Sequence, residues 1–289
     1  MIQLIASDMD GTLLNGEMTI SKFNADAIKQ AQKQGVQFVV SSGRSYYEVK
    51  PLLDQVGIKC PMISINGALI LDAAGNTIDS TPIPQSLAAK IMTVLKKANL
   101  YFEVVTKNGV CSDNKSKRIE NFAELLTSIH PDTPFKLAVS LASARMELVN
   151  IKYVQNYQEI LDDPHNPIYK IVTFSQEGQT VLRQYREKFA ANPELVVTSS
   201  GERNIEINHI NAQKGIALQK YADMFNIPLD NVMTIGDNNN DVSMLKVAGV
   251  SYAMENGTDE VKHVANHLAD TNINDGVGKA ILTELNKNS

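Results

Sequence analysis

The sequence predicts an α/β protein: a Rossmann-like, doubly wound parallel sheet core interrupted by an inserted α+β segment. Three observations predict it. Short apolar runs alternate with helical patterns at both ends of the chain, as in βα units. The middle, residues 85–207, breaks that alternation. And the first apolar run, Leu4-Ile5-Ala6, stops at two aspartates, Asp8 and Asp10, followed by Gly11. With 289 residues the chain has room for two domains. Its 43% hydrophobic and 20% charged residues are an ordinary globular balance with enough apolar mass for a sizeable core.

Leu4 to Ala6 reads as a buried strand, and the carboxyl end of a strand in an open α/β sheet is where ligands bind. Two carboxylates there repel each other unless a cation sits between them, and hard oxygen ligands suit Mg²⁺. A carboxylate beside a bound metal can also attack phosphorus. Taken alone, the same residues fit a turn with two solvated acids. Ser21, followed by Asn24, predicts a capped helix over 22–34 with Ala27, Ile28 and Ala31 as its apolar stripe and Gly35 as its stop. Residues 36–41 form a second β-branched run, which ends at Ser42-Gly43-Arg44 before a helix over 45–56. Strand, small-residue turn and helix present backbone N–H groups and a hydroxyl to an anion, although an isolated Ser42 also reads as a plain helix cap. Residues 61–65 make a third strand ending at Asn66-Gly67, and 69–78 read as a hairpin about Ala74-Gly75-Asn76. Thr81-Pro82-Ile83-Pro84 is a stiff linker.

The middle mixes helical patterns (85–98, 115–130, 142–148, 178–191) with strands at 101–106, 136–139, 168–174 and 195–198. Residues 203–207 are a hairpin partner across Ser200-Gly201. The expected organisation is a core of 1–83 and 208–289 with 84–207 inserted as a second domain. From Ile210 the βα alternation returns. A helix over 213–226 has Lys214 near its start and Ala217, Tyr221 and Phe225 on one face. A strand over 231–235 runs into Gly236-Asp237-Asn238-Asn239-Asn240-Asp241 and a helix through Lys246. A strand over 250–254 and helices over 258–266 and 277–285 complete the chain.

If the strands ending at Asp8, Ser42 and Asp237 are parallel neighbours, those ends converge, because crossovers keep carboxyl ends together. The inventory is then a hard-cation pair (Asp8, Asp237), an anion cradle (Ser42, Gly43) and a positive charge (Lys214). Phosphoryl transfer needs those parts. Lys214 alone is an ordinary helix-start lysine and gains meaning only from this company. Other readings of the acidic loops fail. A calcium loop starting at Asp237 has Val242 where glycine is needed and Ala248 where glutamate is needed. No GxxxxGK[ST] or GxGxxG run exists for a nucleotide. His263 and His267 are four apart, but Val264 stands where a zinc protease needs glutamate.

A net charge of −5 argues against nucleic acid or a membrane surface as the main partner. No run approaches the length of a membrane span, and the start lacks a basic, cleavable apolar leader, so a cytoplasmic location is the expectation. Cys60 and Cys111 are far apart, in no metal-like spacing, and read as unpaired buried thiols.

Asp8-Met9-Asp10-Gly11-Thr12-Leu13-Leu14, Ser41-Ser42-Gly43-Arg44, Lys214-Gly215 and Gly236-Asp237-Asn238-Asn239-Asn240-Asp241 together resemble the haloacid dehalogenase superfamily of phosphohydrolases, in its Cof-type branch. The motifs stand in the family's order from Asp8 to Asp241, and the insert falls where that branch carries an α/β cap that shapes specificity. The resemblance implies a phosphatase of small phosphorylated metabolites, chiefly sugar phosphates, with Mg²⁺ as cofactor. It implies that Asp8 attacks phosphorus and becomes an aspartyl phosphate, and that Asp10 protonates the leaving oxygen and later activates water. Asp8, Asp237 and the main-chain oxygen of Asp10 would hold the metal, with Asp241 behind them. Ser42, Gly43, Lys214, Asn66 and Asn240 would hold phosphate or substrate. Two departures stand out: Ser42 where many relatives have threonine, and Asn211-Ala212-Gln213 before Lys214. Glu206 and Arg203 are candidates for touching the leaving group. The rival readings are a phosphomutase of the same superfamily and a non-catalytic metabolite-binding regulator. Vitamin phosphates stay open as substrates, and the oligomeric state is not readable.

Overall fold

The computed structural model describes residues 1–129, 132–146, 151–199 and 201–287. It holds fourteen strands among these residues. They are β1 (Leu4–Ser7), β2 (Gln37–Ser41), β3 (Met62–Ser64), β4 (Leu69–Leu71), β5 (Thr77–Ser80), β6 (Phe102–Thr106), β7 (Gly109–Ser112), β8 (Ile151–Tyr153), β9 (Ile168–Phe174), β10 (Leu195–Thr198), β11 (Asn204–His209), β12 (Val232–Gly236), β13 (Val250–Met254) and β14 (His267–Ala269). The chain divides into two compact units: Met1–Thr81 with Ile210–Ser289, and Pro82–His209, slightly wider than the 84–207 expected.

The first unit is an eight-stranded sheet in the order β14-β13-β12-β1-β2-β3-β4-β5. Strands β14 through β3 are parallel to their neighbours, and the β3–β4–β5 hairpins add an antiparallel edge. From β1 the chain first moves to β2 and β3, then returns on the other side through β12, β13 and β14. The carboxyl ends of β1 and β12 therefore flank a topological switch point. Leu4, Ala6 and Val39 lie in one apolar cluster with Ala217, Leu218 and Tyr221 of the helix Lys214–Met224. Their neighbours Ile5, Phe38 and Val40 alternate to the opposite face and are buried as well. Burial on both faces explains why these strands read as continuous apolar runs rather than alternating ones. The helix Lys22–Lys33 is capped as expected, with the Ser21 hydroxyl oxygen accepting from the Asn24 N–H, and it packs on the helix Gly276–Asn286.

The second unit is a six-stranded sheet, β10-β11-β9-β6-β7-β8, antiparallel except for the β7–β8 pair. Its main core joins Phe102, Val104, Ile171 and Ile205 of the sheet to Leu87, Ile91 and Leu182 of the helices Gln85–Lys97 and Gln179–Ala190. Several expectations change here. Residues 136–139 are not a strand but part of the helix Phe135–Met146, where Ala138 and Ala142, one turn apart, pack on Ala123 of the helix Lys115–Ile129. The strand expected over 203–207 is β11, which leaves Arg203 outside it. β7 and β8 carry no clear alternation of their own and exist through pairing with β6 and with each other. Residues 147–148 of the expected helix, and Ser200 of the expected hairpin turn, lie outside the described residues.

In the first unit Ala217 and Tyr221 are buried, but Phe225 caps the helix end and is 47% exposed, its ring tilted against that of Tyr221 with centroids 4.7 Å apart. His263 and His267 do not share a helix: the first lies on Asp259–Val264, the second on β14 against the Tyr252 ring. No helix among the described residues is long and apolar enough to cross a membrane.

Both cysteines are free and buried. Burial pushes the Cys60 thiol up to about 12, and raises that of Cys111 too. Both thiols should therefore resist alkylation at mildly alkaline pH in the folded protein and react fully in urea. Mass spectrometry counts the adducts, and labelling of Cys60 in the native state would contradict this packing.

Candidate active site

β1 ends at Ser7, and the Asp8 N–H still donates to the Ile235 carbonyl of β12 at 3.0 Å. A tight turn over Met9–Leu13 follows, with non-helical backbone at Asp10 and Gly11. Gly11 has φ +74°, and a Cβ there would lie 2.4 Å from Oδ2 of Asp237, so only glycine lets this turn meet the turn after β12. The Thr12 hydroxyl closes the contact by donating to Asp237 Oδ1 at 2.7 Å.

Lys214, the first residue of its helix, is fully buried. Its Nζ donates to Asp8 Oδ1 at 2.6 Å and to Asp241 Oδ1 at 2.5 Å. The second oxygen of Asp241 accepts from the backbone N–H groups of Asp237 and Asn238, each at 3.0 Å. Asp241 thus shapes the turn after β12 and anchors the lysine at once. One carboxylate oxygen from each of Asp8, Asp237 and Asp241 lies within 4.8 Å of the others.

The electrostatics follow from this crowding. Burial, with Asp241 beside it, raises the Asp8 carboxyl well above the usual range even though Lys214 pulls the other way. Burial and Asp241 likewise bring Asp237 up to about 6. Burial alone would favour a neutral Lys214, but Asp241 and Asp8 outweigh it and hold the ammonium more firmly than usual. Three carboxylates against one ammonium leave two negative charges uncompensated in a largely buried site. The donor set is all carboxylate oxygen, so a hard divalent cation fits it in both charge and ligand type.

Ser42 and Gly43 follow β2. Ser42 is buried, its N–H donates to Ile63 at 2.8 Å, and its hydroxyl oxygen accepts from the Arg44 N–H at 3.2 Å. It is not the cap of the helix Tyr46–Gln55. Ser45 holds that position, with Glu48 Oε2 accepting from the Ser45 N–H at 2.9 Å and from its hydroxyl at 2.7 Å. Asn66 sits beside this turn, its N–H donating to Ser42 at 3.0 Å and its side-chain Oδ1 accepting from Asn240 Nδ2 at 3.2 Å. Ile65 and Asn66 both adopt positive φ (54° and 58°), a conformation costly for a β-branched residue and one that concentrates at functional turns.

Asp8, Lys214, Asp237 and Asp241 are thus brought together, and Ser42, Gly43, Asn66 and Asn240 form an adjoining group. The Asp10 side chain is in neither group. Its carboxylate is gripped by Arg44, whose Nε donates to Oδ2 at 2.7 Å while Nη2 reaches Oδ1. Asp10 outweighs the effect of burial and keeps Arg44 charged. Arg44 and Thr12 lie inside the motifs read from the sequence, yet no spacing rule pairs them with Asp10 and Asp237. In the second unit Glu206 is buried and accepts from Lys170 Nζ at 3.1 Å, and Arg203 lies 3.7 Å from Glu124.

A buried carboxylate–ammonium centre at the switch point of a parallel sheet, beside a Ser-Gly turn, supplies the charge and ligand types that phosphoryl transfer uses. The haloacid dehalogenase-like hydrolase family model matches residues 5–281, and the chain belongs to that family, in its Cof-type branch. It is 35% identical over 278 residues to 5-amino-6-(5-phospho-D-ribitylamino)uracil phosphatase YwtE of Bacillus subtilis, covering 96% of each chain. It is 32% identical over 278 residues to phosphatase YwpJ of the same organism, covering 96% of this chain and 97% of the relative. A haloacid dehalogenase-like hydrolase from B. subtilis superposes with a TM-score of 0.86 at 32% identity, over 97% of this chain and 99% of that one. The chain is accordingly a phosphoric monoester hydrolase.

Replacing Lys214 with Met should leave Asp8 and Asp241 as buried carboxylates without their counter-charge. Breaking a buried pair in this way costs about 3–5 kcal/mol. A urea midpoint in chelated buffer should fall accordingly, and an unchanged midpoint would show that the lysine is not holding these turns together.

Proposed function

We propose that the chain is a Mg²⁺-dependent phosphatase of small phosphorylated metabolites, with sugar and sugar-alcohol phosphates as its class, and that it works through an aspartyl phosphate on Asp8. The observation that carries this reading is the setting of Asp8: at the end of β1, with one oxygen on Lys214 and with Asp237 and Asp241 close by. The relative named for a phosphoribityl substrate supports the substrate class.

In this reading the Asp8 carboxylate attacks phosphorus. An O–P bond forms to Asp8 as the ester O–P bond breaks, and Asp10, which must first leave the Arg44 guanidinium and take up a proton, supplies the proton that the departing alkoxide needs. Asp10 then takes a proton from the water that attacks phosphorus and frees Asp8. The Ser42 hydroxyl, the Gly43 N–H and Lys214 orient the phosphoryl oxygens, and Arg44 steers the Asp10 carboxyl. Asp8, Asp237 and the main-chain oxygen of Asp10 would hold Mg²⁺, which supplies charge neutralisation for the crowded carboxylates and the phosphoryl group. Asp241 is engaged by Lys214 and two backbone N–H groups, so its part is to orient the others. The inserted unit sets the choice of leaving group. A phosphomutase would share Asp8, but relatives that are named phosphatases favour hydrolysis.

Phosphate release should be measured over a panel of sugar, polyol and vitamin phosphates, with Mg²⁺ and then with a chelator. Release should require the metal and favour the sugar and polyol esters. Asp8→Asn should lower it by at least about 10³-fold with an unchanged circular dichroism spectrum. Turnover that survives that substitution would refute the covalent route, and transfer between two hydroxyls without free phosphate would establish the mutase.

A further inference from the structure

The turns carrying Asp8 and Asp237 come from distant parts of the chain and follow the ends of β1 and β12. We infer that the loop after β13, residues 255–258, is a clamp that sets the two turns against each other, with Asn256 as a positioning residue for the turn that carries Asp10. This rests on the reading of Asp10 as the acid that protonates the leaving group.

Asn256 Nδ2 donates to the Gly11 carbonyl at 2.8 Å, directly after Asp10. Two residues later the Thr258 N–H donates to the Asp237 carbonyl at 2.9 Å, and the Thr258 hydroxyl to Asn239 Oδ1 at 3.1 Å. Between them Gly257 lies so close that a Cβ would sit 2.9 Å from the carbonyl oxygens of Asp237 and of Met254. One short loop therefore grips both turns through their main chains.

The Asn256 amide is itself oriented. Its Oδ1 accepts from the Asn272 N–H at 2.9 Å, and Asn272 Nδ2 donates onward to the Leu14 carbonyl at 2.8 Å, at the far end of the Asp8 turn. Nitrogen toward Gly11 and oxygen toward Asn272 is the arrangement both partners demand. An aspartate at 256 would set a carboxylate oxygen against the Gly11 carbonyl. The turn needs such support because its backbone at Asp10 and Gly11 departs from helical geometry and Gly11 lies at positive φ. Arg44 aims the Asp10 carboxylate, but only the main chain fixes where Asp10 starts from. Displacing a catalytic group by about 1 Å can cost 10²-fold in rate.

The test compares Asn256→Ala and Asn256→Asp with the parent chain on two esters: the best sugar phosphate from the panel, and 2,4-dinitrophenyl phosphate, whose leaving group departs without a proton. For the sugar phosphate kcat/KM should fall about 10-fold or more. For the dinitrophenyl ester it should stay within about threefold. Amide hydrogen exchange in residues 9–14 should also accelerate. No loss on either ester, or unchanged exchange over 9–14, would overturn the clamp, and equal losses on both would overturn the positioning of Asp10 by Asn256. Asp10→Asn on the same two esters separates the two readings: if it shows no leaving-group selectivity, the role given to Asp10 fails, and the clamp is then judged by the exchange data alone.

Discussion

The molecule is organised around one buried ammonium. Lys214 lies between Asp8 and Asp241, fully removed from water, and each of the three comes from a different segment of chain. Burying an ion without partners costs several kcal/mol, so this lysine is tolerable only while both carboxylates stay in place. The constraint runs in both directions. The start of the helix Lys214–Met224 must sit over the ends of β1 and β12, and the turns after those strands must bend toward it. Burial first, and then the neighbouring Asp241, pushes Asp8 and Asp237 upward, and the excess of three carboxylates over one cation is why a hard divalent cation suits the site.

Sheet topology makes this meeting possible. β1 is central, with β2 on one side and β12 on the other, and all three run parallel. Parallel crossovers deliver the turns after these strands to a single edge of the sheet. Short polar contacts then knit the turns together: Thr12 to Asp237, Asn240 to Asn66, Arg44 to Asp10. None is strong by itself in a partly exposed setting. Their effect lies in sharing the same few backbone segments, so that shifting one turn strains the others.

Much of the first unit was legible because its strands are buried on both faces and its turns are built from Gly, Asp, Asn and Ser, which punctuate a sequence plainly. The positions of Asp8, Ser42, Asp237 and Lys214 could be read from strand ends and motif order. Residues 136–139 could not, because a short apolar run suits helix or strand equally, and Ala123 across from Ala138 and Ala142 decides for helix. Phe225 misled for a related reason: the helix ends just before it and turns its ring outward against Tyr221. Thr12, Arg44 and Asn256 carry signals too common to single out, since their partners lie 225, 34 and 245 positions away.

By itself the sequence determined the class of fold, the presence of an insert and the chemical inventory of the site, because periodicity and turn chemistry are local properties of a chain. Only the tertiary structure decided which oxygen faces which donor: Asp241 rather than solvent beneath Lys214, and Arg44 on Asp10. Lys214 and Asp241 stand 27 positions apart and Asp10 and Arg44 stand 34 apart, beyond the reach of any local pattern, and hydrogen bonds and ion pairs act over a few ångströms of space without regard to separation along the chain.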